Sequence, residues 1–242
     1  MTARVGVLGD GAAAAADVVR DAGGDAVVGE DALAAAVDAI AAFGEDALLD
    51  ALDARVDAPV LPVDAGREYG GVAREDVPDA LAALAAGDYD VEQRATLSVT
   101  TADTDVRALA DVHVVTAEPA RISEYRVETT DGTVDTVRAD GVVAATPAGS
   151  HGYAADAGGP RLSKGADALA VVPIAPFRVE RTRWVLDPPA SLTVVRDEAD
   201  VALFVDGRDH GYAAPHGPVE LDWGDPLPVA VVPSAAGVAD RD

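Results

Sequence analysis

The stretch 146–160, TPAGSHGYAADAGGP, gathers small residues and turn formers around one tyrosine, between the apolar runs DGVVAA (140–145) and LAVVPIAP (169–176). A plain corner between two strands needs Gly and Pro. It does not need Asp140-Gly141, then Thr146-Pro147-Ala148-Gly149-Ser150, then Tyr153, in that order. Gly149 and Ser150 offer backbone amides, Tyr153 offers a stacking ring with a hydroxyl, and Gly158-Gly159 permits close backbone approach. The stretch therefore reads either as a nucleotide cradle or as a Gly-rich corner, and the rest of the chain has to decide.

The flanking sequence sets the fold class. From about Glu92 onward RATLSVT, DVHVVT, ISEYRVET, TVDTVRA, GVVAAT, LAVVPI, SLTVVR and VALFVDG are strand-like runs separated by turn signals such as Asp131-Gly132. Before Glu92 the texture differs. RVGVLG (4–9) reads as a buried strand and Ala12–Asp21 as an alanine-rich helix ended by Gly23 and Gly24. DAVVG (25–29) reads as a second strand and DALAAAVDAIAAF (31–43) as a second helix. PVLPVD (59–64) reads as another strand, and DVPDALAALAAGDY (76–89) as a helix with Pro78 in its first turn and Gly87 at its end. This predicts an α/β N-terminal domain over 1–92, a β-rich C-terminal domain over 93–232 and a tail over 233–242.

Composition bounds the partners. The 242 residues carry 43 acidic and 18 basic side chains, a formal charge of −25, and Lys164 is the one lysine. Such a surface opposes binding to nucleic acid or to an anionic membrane. The acids are spread along the chain rather than blocked into a tail, which reads as adaptation to a very salty cytoplasm. At roughly 1 M salt the Debye length is about 3 Å, so self-repulsion costs little. There is no cysteine, so disulfides and thiolate metal sites are excluded. No apolar run approaches the roughly 20 residues of a membrane span, and MTARVGVLGDG lacks a cleavable signal pattern. A cytoplasmic protein is expected.

Other motifs leave alternatives open. Gly9-x-Gly11-x-x-Ala14 follows a strand, with Glu30 and Asp31 about twenty residues on. It fits a dinucleotide fingerprint, and equally an ordinary βα turn. Gly44, Glu45 and Asp46 stand on a turn opening a helix, where an acid usually serves as a cap or first-turn charge. His113, His151, His210 and His216 lack the spacing of a helical metal pair, so no metal site is expected.

Taken together these segments resemble the NAD kinase family. Residues 140–160 are similar to its Asp-Gly, Thr-Pro-Thr-Gly-Ser-Thr-Ala-Tyr and Gly-Gly-Pro signature. GEDALL (44–49) stands where its Gly-Gly-Asp-Gly-Thr-Leu motif belongs, and PVLPVDAGREYG (59–70) resembles the next strand and Gly-Arg turn. AALAAGDYDVEQRATLSV (82–99), ALADVHV (108–114), VVPIAPF (171–177) and LFVDGR (203–208) follow in the family's order. The closest description is a divergent, halophilic, archaeal-type member.

The resemblance implies a two-domain fold with its site in the crevice between the domains. It implies Asp46 as the catalytic aspartate. It also implies a dinucleotide site lined by Asp111, Arg121, Arg138, Asp140, Gly149, Ser150 and Tyr153. The implied reaction phosphorylates the adenosine 2′-hydroxyl of NAD to give NADP, with ATP or polyphosphate as donor and Mg²⁺ as cofactor. The implied assembly is a homo-oligomer, a dimer or tetramer. Several positions depart from the pattern. Glu45 and Ala47 stand where the family has glycine, Leu48 where it has threonine, and Ala110 where it has asparagine. Ala148, His151, Gly152 and Arg208 are further substitutions. If residue 47 needed a left-handed backbone, alanine would cost about 1–2 kcal/mol. A glutamate about 4 Å from a phosphate charge would cost roughly 1–4 kcal/mol unless Mg²⁺ or an outward rotation relieved it. These departures support an alternative, a catalytically retired NAD(H)-binding sensor or partner subunit. A dehydrogenase built on the Gly9 turn is a further alternative, for which the α/β half is short.

Overall fold

The structure, a computed structural model, describes residues 2–66, 69–118, 121–177, 182–197 and 199–233. Arg67 of the expected Gly-Arg turn, and the expected tail apart from Pro233, lie outside them. Two compact units emerge, one of residues 1–94 with 226–242 and the other of residues 95–225.

In the first unit, chain order runs Arg4–Gly9 (β1), Ala12–Asp21 (α1), Asp25–Val28 (β2), Asp31–Ala34 (α2), Ala39–Phe43 (β3), Glu45–Asp53 (α3), Val60–Val63 (β4), Val77–Ala86 (α4) and Asp90–Arg94 (β5). Strands β2-β1-β3-β4 lie side by side and parallel. The late segment Leu227–Val231 returns to this sheet, parallel to β4 and antiparallel to β5. Ala12, Ala15, Ala16 and Val19 of α1 share a core with Ala80, Leu81 and Leu84 of α4, over Val5, Val7, Ala39, Ala41, Leu61 and Val63 of the sheet. Helix α4 carries Pro78 in its first turn and ends on Gly87 at φ +73°, where a left-handed residue closes the last turn.

One expected element is corrected. Residues 31–43 are not one helix but a single turn, α2, followed by the strand β3. Ala39 to Ala42 are wholly buried. A continuous apolar run in a central parallel strand has no period of its own, and alanine-rich sequence biases its reading toward helix. The strand is entered at Asp38, whose side chain accepts from the Arg4 amide at 2.7 Å.

The second unit contains Leu97–Thr100 (β6), Asp105–Ala108 (β7), Asp111–Thr116 (β8), Ser123–Thr129 (β9), Gly132–Ala139 (β10), Gly141–Ala145 (β11), Tyr153–Asp156 (α5), Leu169–Ile174 (β12), Trp184–Leu186 (β13), Ala190–Arg196 (β14), Val201–Val205 (β15), Arg208–Tyr212 (β16) and Pro218–Trp223 (β17). They form two sheets, ordered β10-β9-β14-β17-β6-β7 and β13-β12-β11-β8-β15-β16. Both contribute to one core, from Tyr125, Val127, Leu192 and Leu221 on one side and Val112, Val114, Leu169 and Leu203 on the other. Strand β9 alternates buried with half-buried residues, as a sheet with one covered face requires. Strand β11 is buried throughout, because Ala154 and Leu162 cover the outer side of Val143 and Ala145. Among the described residues the chain passes between the two sheets six times, including at Leu109-Ala110, between β7 and β8, and at Asp140, between β10 and β11.

Candidate nucleotide site

The C-terminal ends of β1 and β3 lie in register, with Gly9 opposite Phe43. Connections leave these two neighbours toward β2 and toward β4, so the order β2-β1-β3-β4 reverses direction between them. That is the place where open α/β sheets bind ligands. The turn that follows β3 is Gly44-Glu45-Asp46. Gly44 has φ +88°, and α3 begins at Glu45. Asp46 is therefore an exposed first-turn acid and the cap position belongs to Gly44, a placement the helix dipole favours. Ala47 is within the helix and buried, so the left-handed penalty feared for it does not arise; the positive φ falls on Gly44 instead. Glu45 is exposed, and its Oε1 accepts a hydrogen bond of 2.8 Å from the hydroxyl of buried Tyr69.

Gly9 is explained by packing. A Cβ there would sit 2.1 Å from the Phe43 carbonyl oxygen and 2.9 Å from the Ala47 Cβ, and its φ is +86°. The glycine pattern at 9–14 thus has a purely local role at its first position: it lets β1 run close beneath the turn that carries Asp46.

In the second unit the 146–160 stretch folds as a 3₁₀ turn at Gly149–His151 followed by the short helix α5. It is tied to the segment before β8. The Thr146 amide donates to Ala110 O at 2.8 Å, and the Thr146 hydroxyl to Leu109 O at 2.8 Å. A Cβ on Gly149 would lie 2.1 Å from Ala110 O, so the turn rests directly on that backbone. Ser150 is buried. Its hydroxyl donates to Pro147 O at 2.8 Å and accepts from the Leu162 amide at 2.9 Å, which engages it inside the loop. Tyr153 opens α5 and is 45% exposed, leaving part of its ring available to a ligand.

Asp111 is buried at the start of β8, and its Oδ1 lies 3.0 Å from His113 Nε2. The approach is one of distance and not of hydrogen-bond alignment. The His113 ring packs on Tyr153, with centroids 4.8 Å apart and planes tilted by 38°. Metal-pair spacing does not mark His113 as a site residue. The available signal was strand alternation: Val112 and Val114 enter the core, so Asp111 and His113 share the opposite face.

The structure thus brings Asp111, Gly149, Ser150 and Tyr153 together. Asp140 sits at the change of sheet between β10 and β11, where its carbonyl accepts from the Thr116 amide at 2.8 Å and the Tyr125 hydroxyl at 3.2 Å. Arg138 is exposed near the end of β10, and its carbonyl accepts from the Phe177 amide at 2.8 Å. Arg121 is exposed between β8 and β9 and pairs with Glu118 at 3.7 Å. Asp46 belongs to the first unit and the other seven predicted residues to the second.

Sequence reasoning missed one further group. Asp206, 7% exposed, accepts the amides of Leu109 (2.6 Å), Ala110 (2.7 Å) and Asp111 (2.9 Å). Burial pushes its carboxyl up to about 6; the three amides pull it down, and the charge of Asp111 adds to the rise. Among the described residues no three His, Asp or Glu side chains gather to hold a metal ion, and no helix is long and apolar enough to cross a membrane.

An α/β unit and a β-rich unit define the fold, and comparison with known proteins identifies the class. Residues 109–229, half of the chain, match the model of the ATP-NAD kinase C-terminal domain. The chain belongs to the NAD kinase family. It is 37% identical over 116 residues to an NAD kinase of Methanosarcina mazei, a match covering 47% of this chain and 40% of that one. With an NAD kinase of Methanopyrus kandleri it shares 30% over 159 residues, covering 64% and 57%. The matches thus span between two and three fifths of these relatives' lengths. Among solved structures, an NAD kinase from Archaeoglobus fulgidus in complex with ATP superposes with TM-score 0.75 at 23% identity, covering 94% of this chain and 92% of the other. A yeast NADH kinase complexed with NADH gives 0.77 at 14%, covering 95% and 83%. These likenesses establish the two-domain fold, with its α/β first part and β-rich second.

Proposed function

We propose that the protein phosphorylates the adenosine 2′-hydroxyl of NAD, with ATP or polyphosphate as donor. The observation that carries this reading is the position of Asp46, on a glycine-opened turn where the strand order reverses, in a chain of this family. The ribose oxygen attacks the terminal phosphorus, the bond to the bridging oxygen breaks, and ADP or the shortened polyphosphate leaves. Asp46 accepts the hydroxyl proton. A loose transition state asks for an oriented acceptor and charge neutralisation more than for a strong base. In this reading the divalent cation is carried in by the donor phosphates, a mode that needs few protein ligands. Tyr153 offers its exposed ring to the dinucleotide, with Gly149 shaping the turn beneath; Asp111, Arg121, Arg138, Asp140 and Ser150 complete the site in this reading.

The test is NADP formation from NAD, ATP and Mg²⁺ in molar salt. Asp46→Asn is expected to lose turnover by at least about a hundredfold while binding NAD nearly as before, the range of a lost general base. Wild-type turnover in that variant removes the mechanism. A second reading has its own observation. Glu45 adds a negative charge to the turn and is anchored by Tyr69. Tight NAD binding with no product under any donor favours a sensor or partner subunit.

A further inference from the structure

The geometry points to Asp206 as a positioning residue: its carboxylate, by gathering the amides of Leu109, Ala110 and Asp111, holds the platform on which the 146–160 loop and the Asp111–His113–Tyr153 group are built. As a statement about dinucleotide affinity, this rests on the NAD-binding reading above.

Three observations converge. The first is the hub itself. One carboxylate accepts three consecutive amides while the Asp206 amide donates back to Asp111 O at 2.9 Å, closing a ring between the end of β15 and the start of β8. Second, Asp206 holds φ +49°, an uncommon conformation for a residue other than glycine. Third, the carbonyls of the gathered residues face the cradle: Leu109 O takes the Thr146 hydroxyl, Ala110 O takes the Thr146 amide, and Gly149 packs on Ala110 O. The same three residues thus turn their amides to Asp206 and two of their carbonyls to the loop.

Only an ionised carboxylate serves this role without conflict. Asparagine at 206 would set an N–H donor against amides that also donate, and a protonated acid would do the same with its O–H. The charged and titratable groups nearby are Asp111 on β8, His113 beyond it on the same strand, and Arg208 and Asp209 on the hairpin of Asp206 itself; Thr146 and Ser150 of the loop are neutral.

The test compares wild type with Asp206→Asn and Asp206→Glu in molar salt, between pH 5 and 8. Amide exchange at residues 109–111, corrected for intrinsic rates, is expected to speed up about tenfold beyond any global change in Asp206→Asn. NAD affinity is expected to fall about tenfold, as for one charge-assisted bond lost. Wild-type affinity should weaken as pH falls through about 6, and the asparagine variant should lose that step. If both variants fail to fold, the wild-type exchange profile alone decides: protection at 109–111 must drop below pH 6 while distant strands keep theirs. Exchange that follows global stability only, or a folded Asp206→Asn with unaltered affinity and pH profile, overturns the inference. If wild type binds no NAD, the functional reading falls and the exchange data still judge the clamp.

Discussion

A methyl group on residue 149 would occupy the space of the Ala110 carbonyl. Neither side can yield cheaply, since both are backbone held by Thr146 and Asp206. Gly149→Ala is expected to cost about 1–3 kcal/mol, the range for an overpacked site, and to lower NAD affinity; denaturant midpoints and NAD titration check this. Asp206 makes a second residue-scale prediction through linkage. Its carboxyl is raised from 3.8 to about 6, so the folded state holds the proton more tightly than the unfolded chain. Its contribution to stability is full below the unfolded value and lost as pH rises through about 6. Wild type should therefore gain on Asp206→Asn, on the order of 3 kcal/mol, as pH falls from 7 to 4. Stability rises there while NAD binding weakens, opposite trends that one set of pH titrations measures. None of this was legible beforehand. Asp206 and its three amide partners lie 95 to 97 residues apart in the chain, and no local pattern announces a carboxylate that serves a distant turn.

At the scale of elements, the strand β3, its turn and α3 were legible in unequal measure. Gly44 followed by two acids was readable as a helix opening because both the backbone freedom and the dipole preference are local. Strand β3 itself was not, because its burial comes from neighbours on both sides. The turn also carries a test of donor recognition. Glu45 stands at the first helical position, where an incoming polyphosphate would meet its charge. Glu45→Gly is expected to lower KM for ATP about fivefold, corresponding to about 1 kcal/mol in a well-solvated setting, with little change in KM for NAD. Steady-state kinetics with each substrate varied separate the two. Tyr69→Phe releases the carboxylate and should cost about 1 kcal/mol in stability, read by denaturant midpoint, since one hydrogen bond to a solvated partner is lost.

For the whole molecule, the charge of −25 sets the conditions of every experiment above. The Debye length shrinks from about 10 Å at 0.1 M to about 3 Å at 1 M salt, so repulsion among spread acids is removed over that interval. Melting temperature is expected to climb steeply between those concentrations; a flat response removes the reading of a salt-adapted surface. The alternation of strand and helix followed by successive strands was visible in the sequence because it is written in local periodicity. The pairing of strands was not. Which of twelve strands in the second unit join which sheet depends on contacts across the core, and the return of Leu227–Val231 to the first sheet has no local signature.

That return has a consequence for how the protein is made. Where the second unit begins and ends, its two termini are clasped together: Thr96 Oγ1 donates to Asp225 O at 2.9 Å, and the Gly224 amide to Thr96 O at 2.9 Å. Residues 95–225 are thus an inserted body with adjoining doors. The sheet that carries Asp46 lacks the strand between β4 and β5 until the ribosome has translated residue 231. Although its residues emerge first, that domain is the last to be completed.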